Sequence, residues 1–228
     1  MLDAVLLEWD GVLADTGAAR RDALLRALAD EGVPSSPAVY DACCAGLDVP
    51  SAAAAALRAA GRDDPSLAQL VALRAGRAFV DRLAQGFSLA PGAADFLAVA
   101  AHRTRVAIVT QAGRAETDVA LRLAGVESAV AAVLTADDVT DPPPAPAVFT
   151  RALVHLSRLR TARASHVVAV VRALPAIRAA RAAGIRALTV GAPAHVAAEA
   201  DGAVDSLEGV TVDVVARLAG VAGTPVRA

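Results

Sequence analysis

Short runs of β-branched and apolar residues alternate with amphipathic helical segments along most of this 228-residue chain. The apolar runs predict strands at about residues 4–9, 105–110, 131–134, 166–171, 185–190 and 202–204. The segments between them predict helices at about residues 91–101, 114–124, 146–156, 174–183 and 211–219. Such alternation is typical of a parallel sheet flanked by helices, because parallel neighbours need long crossover connections. The sequence therefore predicts an α/β fold.

A stretch of different character, residues 18–85, separates the first predicted strand from the second. It shows no strand pattern, and its helical patterns are separated by glycine and proline, which break helices. The breaks contain Gly32, Pro34, Pro50 and Pro65. We therefore expect an α/β core of residues 1–16 and 87–228 and an inserted helical domain of residues 17–86.

The composition argues against several classes of function. The formal net charge is -2 and no long basic block occurs, so we expect no nucleic-acid partner. No apolar run reaches the ~18 residues that a membrane span needs, and the N-terminus does not resemble a signal peptide. We therefore expect a cytoplasmic protein that does not enter a membrane. The chain has no lysine, so no ammonium side chain is available to bind phosphate or to form a Schiff base.

The two cysteines, Cys43 and Cys44, are neighbours in the helical insert. A disulfide between adjacent residues closes a strained ring and joins no distant parts of a chain. We therefore expect both to be small reduced residues on a helix, in a reducing compartment.

The first predicted strand ends in two carboxylates, Glu8 and Asp10, which are followed by Gly11. Residues i and i+2 of a strand project to the same side, so both acids are expected to face one pocket. That pocket would lie at the carboxyl ends of the strands, where open α/β sheets bind ligands. Two separately solvated acids at the end of a strand are the alternative interpretation.

The stretch Ala4-Val-Leu-Leu-Glu-Trp-Asp-Gly-Val-Leu-Ala-Asp-Thr16 resembles the first motif of the haloacid dehalogenase superfamily, Asp-x-Asp-Gly-(Thr/Val)-Leu-x-Asp-(Ser/Thr). The resemblance covers essentially the whole chain and implies a Rossmann-like core with a helical cap of the C1 type over the active site. In that family the first aspartate attacks phosphorus and the second acts as acid/base. Glu8 stands at the nucleophile and Asp10 at the acid/base position. Because in-line attack depends on close placement of the reacting atom, the longer glutamate is expected to impair it.

The segment Val106-Ala-Ile-Val-Thr110-Gln111 resembles the second motif of the family, which implies that Thr110 holds an anionic oxygen. Gln111 follows directly, and Arg114 opens a predicted helix, whose N-terminus favours anions. We assign Thr110, Gln111 and Arg114 to substrate binding. The alternative is a helix-capping threonine and a surface arginine.

The third and fourth motifs lack the residues that metal-dependent chemistry uses. Asp141-Pro-Pro-Pro144-Ala-Pro146 resembles the third motif, Gly-Lys-Pro-x-Pro, with Pro143 at the lysine position. At the fourth motif, Val171 and Arg172 stand where the family has acids that bind Mg²⁺. Mg²⁺ needs oxygen ligands, so we expect the metal site to be lost and no cofactor to be bound. Arg172 is instead expected to bind substrate and to serve as a counter-ion of the two acids.

Three functions are compatible with these changes. The first is a repurposed enzyme that uses Glu8 and Asp10 as a metal-independent acid/base pair on a small molecule in the cleft between cap and core. The second is a non-catalytic binding protein with the same fold, and the third is a phosphatase with a glutamate nucleophile. We favour the first, because both charges of the first motif are retained and Arg172 can balance them. The identity of the substrate and the oligomeric state are left open.

Overall fold

A computed structural model of the chain describes residues 1–141 and 145–221. In these residues one sheet contains six strands, β1 Ala4–Glu8, β2 Arg105–Val109, β3 Ala132–Leu134, β4 Val167–Val171, β5 Arg186–Val190 and β6 Gly202–Val204. The order of the strands is β3-β2-β1-β4-β5-β6, and all neighbouring pairs are parallel. The helices are α1 Gly17–Asp30, α2 Pro37–Cys43, α3 Val49–Ala59, α4 Pro65–Ala84, α5 Ala93–Arg103, α6 Arg114–Ala124, α7 Ala147–Leu159, α8 Leu174–Ala182, α9 Ala194–Ala197 and α10 Val212–Leu218.

The predicted parallel sheet flanked by helices is confirmed. β1 and β4 are the two central strands, and all five residues of β4 are buried. Helices cover both faces of such a sheet, which is why its central strands read as continuous apolar runs rather than as alternating ones. The first two strands end one residue earlier than the pattern predicts, at Glu8 and Val109. Trp9 and Thr110 therefore belong to the loops that follow these strands.

The chain divides into two compact units, which are described separately. The sheet unit comprises Met1–Asp15, Ser88–Thr110 and Ala124–Ala228. The helical unit comprises Thr16–Phe87 and Gln111–Leu123. The predicted insert of residues 17–86 falls within the helical unit, which also takes in most of α6. The predicted boundary and the role of the insert as a cap over an active site stay predictions.

The helical unit is built on the pairing of α1 with α4, with α3 packed against α4. Small and branched apolar side chains make its core, among them Leu24, Leu28, Leu57 and Val71. Within the described residues, no helix combines the length and the apolarity that crossing a bilayer requires.

The breaks in the helical insert become helix starts. The side chains of Ser36, Asp48 and Asp64 accept hydrogen bonds from the backbone N–H groups of Val39, Ser51 and Leu67, respectively. Each of the three helices has a proline in its first two positions, where the missing N–H group costs nothing. The polar residues before the prolines thus set where α2, α3 and α4 begin.

Replacing Asp64 by alanine is expected to lower the free energy of unfolding by about 1 kcal/mol, because the cap of the 20-residue helix α4 is lost. Urea denaturation followed by circular dichroism measures the change. Asp63→Ala, at the exposed neighbouring position, is the matched control and is expected to have a much smaller effect. Equal losses in the two variants would contradict a capping role for Asp64.

Arg105, the first residue of β2, binds backbone carbonyl groups from several segments of the sheet unit. The guanidinium of Arg105 donates hydrogen bonds to the backbone carbonyls of Asp3, Leu156, Arg160 and Thr161. Two of these carbonyls, those of Leu156 and Arg160, lie at the end of α7, and that of Leu156 also accepts the N–H of Arg160. The planar guanidinium, with five N–H donors, suits such a group of acceptors. Arg105 therefore joins the start of β2 to the end of α7.

Candidate active site

The carboxyl ends of β1, β2 and β4 lie side by side at one edge of the sheet. In the register of the sheet, Glu8 is paired with Val109 of β2, and Leu7 is paired with Val170 of β4. The loops that follow these strands therefore start next to one another. They carry Asp10, Thr110 and Arg172, so the strand order brings together residues that are far apart in sequence.

Glu8 is tied to the loop after β4 through its carboxyl group. Its Oε2 accepts a hydrogen bond of 2.7 Å from the backbone N–H of Arg172, and the N–H of Ala173 also donates to this carboxyl. Ala173 is the residue that precedes α8, so the carboxyl lies near the N-terminus of that helix. Backbone N–H groups at a helix start favour an acceptor with negative charge. The carboxyl of Glu8 thus has defined partners within the sheet unit.

The surroundings of Glu8 raise its pKa to about 7. Burial of the carboxyl group is the largest cause, although the residue as a whole is half-buried, and the charge of Asp10 raises the pKa further. The N–H groups of Arg172 and Ala173 and the charge of Arg172 oppose the rise. Desolvation and a neighbouring like charge both disfavour the ionised form of a carboxyl group. Near neutral pH, Glu8 is therefore divided between its protonated and ionised forms.

Asp10 lies in a tight turn that brings it to Thr110. In this turn the carbonyl of Trp9 accepts the N–H groups of Leu13 and Ala14. The hydroxyl of Thr110 donates to Oδ2 of Asp10 at 3.1 Å, and Thr110 is buried. The second acid of the first motif and the threonine of the second motif are therefore in direct contact. In this arrangement the hydroxyl of Thr110 points at a carboxylate of the protein.

Arg172 lies across the turn at Gly11. One N–H of its guanidinium donates to the backbone carbonyl of Gly11 at 3.3 Å. A side chain at Gly11 would meet this arginine, because a Cβ atom there would lie 2.9 Å from Cδ of Arg172. Gly11 also has a φ of +81°, a conformation that side chains disfavour. The backbone conformation thus favours glycine at this position, and a side chain there would also displace the arginine that packs on it.

Gln111 and Arg114 belong to the helical unit rather than to the sheet unit. Gln111 is half-buried, and Arg114 begins α6, where it forms an ion pair of 3.9 Å with Asp118. The structure thus brings together four of the six predicted site residues, Glu8, Asp10, Thr110 and Arg172. The predicted roles of Gln111 and Arg114 in substrate binding stay predictions.

The site has two contributors that sequence reasoning missed. They are the backbone N–H of Ala173 and the backbone carbonyl of Gly11. Backbone groups leave no residue-type signal. Pro175 gives an indirect signal, because a proline marks the start of a helix, where the first N–H groups have no partner within the helix.

The predicted loss of the magnesium site stays a prediction, and the structure shows the residues on which it depends. Within residues 1–141 and 145–221, no group of three or more His, Cys, Asp or Glu side chains is placed to hold a metal. Asp138, another acid of the sheet unit, accepts the backbone N–H and the hydroxyl of Thr135. A guanidinium at position 172 adds positive charge where a cation would need oxygen ligands. Pro143, which stands at the lysine position of the third motif, lies outside the described residues.

Comparison with known proteins adds independent observations. A family model described as haloacid dehalogenase-like hydrolase matches residues 5–190. A search of curated protein sequences finds no match. The crystal structure of CbbY from Rhodobacter sphaeroides in complex with phosphate is 25% identical, with a TM-score of 0.83 over 94% of this chain and 99% of that one.

Two further solved structures share the fold at lower identity. β-Phosphoglucomutase from Clostridium difficile is 15% identical, with a TM-score of 0.85 over 96% of this chain and 98% of that one. A predicted phosphoglycolate phosphatase from Haemophilus somnus is 17% identical, with a TM-score of 0.77 over 90% of this chain and 95% of that one. The similarity to both therefore extends over most of each chain.

Proposed function

The chain belongs to the haloacid dehalogenase-like hydrolases, and we propose that it acts on a small molecule by acid/base chemistry without a metal ion. The observation that carries the proposal is the arrangement around Glu8. Its carboxyl is held beside Asp10 by the N–H groups of Arg172 and Ala173, and Arg172 supplies positive charge at the same strand ends. The site thus keeps both acids of the first motif, and the guanidinium of Arg172 supplies its positive charge.

The two acids have different surroundings, and those of Glu8 suit proton transfer near neutral pH. Glu8 has its pKa raised to about 7, mainly by burial, which suits a group that gives up or accepts a proton near neutral pH. Asp10 accepts a hydrogen bond from the buried hydroxyl of Thr110. We assign proton donation to Glu8, and to Asp10 the role of the base that faces the same substrate.

The test uses the metabolites of the producing cell, because the substrate is not known. The wild type, Glu8→Gln and Asp10→Asn are incubated with a metabolite extract that contains a metal chelator, and the products are measured by mass spectrometry. We expect at least one metabolite to be converted by the wild type, with a loss of about 10²–10⁴-fold in each variant. Glu208→Gln, at an exposed position of the sheet unit, is the control and should convert it normally. If no metabolite distinguishes the wild type from the variants, the acid/base proposal is overturned.

A second candidate function is non-catalytic binding of a small molecule. It is favoured by the fact that the site groups already have partners within the protein, Glu8 on backbone N–H groups and Arg172 on the carbonyl of Gly11. Groups held in this way can shape a binding surface without taking part in a reaction. Under this function the same variants change affinity, and no metabolite is converted in the extract.

A phosphatase with a glutamate nucleophile is the third candidate, and the phosphate bound to CbbY makes it worth testing. We expect the wild type not to hydrolyse p-nitrophenyl phosphate above background with millimolar Mg²⁺, because the nucleophile, the lysine and the metal ligand of the family are all replaced. A colorimetric assay measures this. Turnover above background that disappears in Glu8→Gln would establish the phosphatase and refute our preference.

A further inference from the structure

The helical unit contains a pair of thiols that the proposed function does not use. Cys43 is the last residue of α2 and Cys44 follows it, and their Sγ atoms lie 3.7 Å apart. The thiol of Cys43 donates to the carbonyl of Val39 at 3.0 Å, and that of Cys44 donates to the carbonyl of Ala52 at 3.5 Å. Cys44 is buried, whereas Cys43 is partly open to solvent. The pair is therefore reachable from the side of Cys43.

A disulfide is a poor product for this pair. Adjacent Cα atoms lie about 3.8 Å apart across a trans peptide, whereas disulfides usually need about 4.4–6.8 Å. The two sulfur atoms would also have to approach from 3.7 Å to about 2 Å. The geometry therefore opposes oxidation to a disulfide.

A single atom bonded to both sulfurs requires much less movement. Two sulfurs on one tetrahedral zinc ion, with bonds of about 2.3 Å, lie about 3.8 Å apart, close to the distance between these thiols. A divalent metal nevertheless needs further ligands, and in the described part of the chain no third His, Cys, Asp or Glu side chain joins them. A thiophilic three-coordinate atom that already carries one substituent needs only two sulfur ligands. It therefore fits both the distance between the thiols and the lack of a third ligand.

We propose that Cys43 and Cys44 form a bidentate site for trivalent, three-coordinate thiophilic centres, of the chemical class of the monosubstituted arsenicals. In the reaction R–As=O condenses with two thiols to give R–As(S)₂ and water. Two S–H bonds and the As=O bond are broken, two As–S bonds form, and both protons leave on the oxygen. Arsenic stays trivalent, so no oxidant or reductant takes part. The more accessible thiol of Cys43 reacts first, and the thiol of Cys44 closes the chelate.

The test uses phenylarsine oxide as the probe on the full-length protein. The wild type, Cys43→Ser and Cys44→Ala are incubated with the probe and a millimolar monothiol, and intact mass spectrometry counts the phenylarsine groups per chain. We expect the wild type to keep one group, with an apparent affinity about a hundredfold above that of either variant, because the second bond forms within the same molecule. A dithiol competitor should remove the group from all three proteins.

A second measurement holds even if a cysteine variant folds poorly. After reaction, the wild type is denatured and its free thiols are counted with a chromogenic disulfide reagent. We expect none, since one arsenic consumes both cysteines of the chain. One free thiol for each bound phenylarsine group, or equal retention by the wild type and Cys43→Ser, would overturn the bidentate site.

Discussion

Replacing Glu8 by glutamine is expected to stabilise the protein at alkaline pH and to leave its stability unchanged in acid. In the folded state the pKa of Glu8 is raised from 4.5 to about 7, chiefly by burial. Below pH 4.5 the carboxyl is protonated in both the folded and the unfolded states, so it has no net effect. Between pH 4.5 and 7 the folded state holds the proton more tightly, and the free energy of unfolding falls as the pH rises.

Above pH 7 the full cost of keeping Glu8 ionised in the folded state is present, about 3 kcal/mol for a shift of this size. Glutamine keeps the shape and an oxygen acceptor for the N–H of Arg172 but carries no charge. The difference between Glu8→Gln and the wild type should therefore grow by about 3 kcal/mol from pH 4.5 to pH 8. Urea denaturation over this pH range measures it.

Glu208→Gln is the matched control for this prediction, because Glu208 is exposed. Its unfolding free energy should follow that of the wild type across the whole range. A carbon-13 NMR titration of the Glu8 carboxyl gives the same pKa without unfolding. If the stabilities of Glu8→Gln and the wild type differ by a constant amount at all pH values, Glu8 has an ordinary pKa and is unsuited to donate a proton near neutrality.

Building a magnesium site at the carboxyl ends of these strands is expected to require more than the substitution Glu8→Asp. In Glu8→Asp the guanidinium of Arg172 still lies at the same edge of the sheet, so we expect no stabilisation by millimolar Mg²⁺. In Glu8→Asp/Arg172→Asp a carboxylate replaces that cation. Such an exchange ~5 Å from a dication changes the interaction by ~3 kcal/mol even at the dielectric constant of water. This corresponds to more than a hundredfold in the dissociation constant.

The measurement is the melting temperature as a function of Mg²⁺ concentration, because a ligand that binds only the folded state raises it by mass action. The double variant should show a saturable rise, and the wild type should show none. Arg178→Asp in the Glu8→Asp background makes the same charge change on the exposed face of α8 and should behave like Glu8→Asp alone. A saturable rise in the wild type that Glu8→Gln abolishes would mean that this protein binds Mg²⁺ without an acid at position 172.

Phosphatase activity is expected to need more substitutions than Mg²⁺ binding. Residues that act as a unit contribute non-additively, so the double variant should bind Mg²⁺ without hydrolysing p-nitrophenyl phosphate. Adding Pro143→Lys supplies the missing cation of the third motif, and we expect Mg²⁺-dependent turnover to appear only then. Substantial turnover in Glu8→Asp alone would show that the other two replacements matter little.

The fold could be predicted from the sequence because its signals are local. Apolar runs such as that of β4 predict strands buried on both faces, and the prolines of the helical insert predict the breaks between its helices. The prediction that Glu8 and Asp10 face one pocket rested on the period of two along a strand. The strand β1 ends at Glu8, however, and it is the turn after the strand that places Asp10. The sequence also allows the contact of Asp10 with Thr110 to be predicted, since both residues follow strands that a parallel sheet aligns.

Other features depended on the tertiary structure. The hydrogen bond from the N–H of Arg172 to Glu8 joins residues 164 positions apart, and it depends on the register of β1 against β4. The raised pKa of Glu8 comes mainly from burial, which only the folded chain creates. In the sequence, nothing distinguishes Arg105 from other charged residues. In the folded chain, its guanidinium is surrounded by carbonyl groups from distant segments. Residue type and spacing determine local conformation, whereas proton affinity and hydrogen-bond partners depend on which distant groups exclude water from a site.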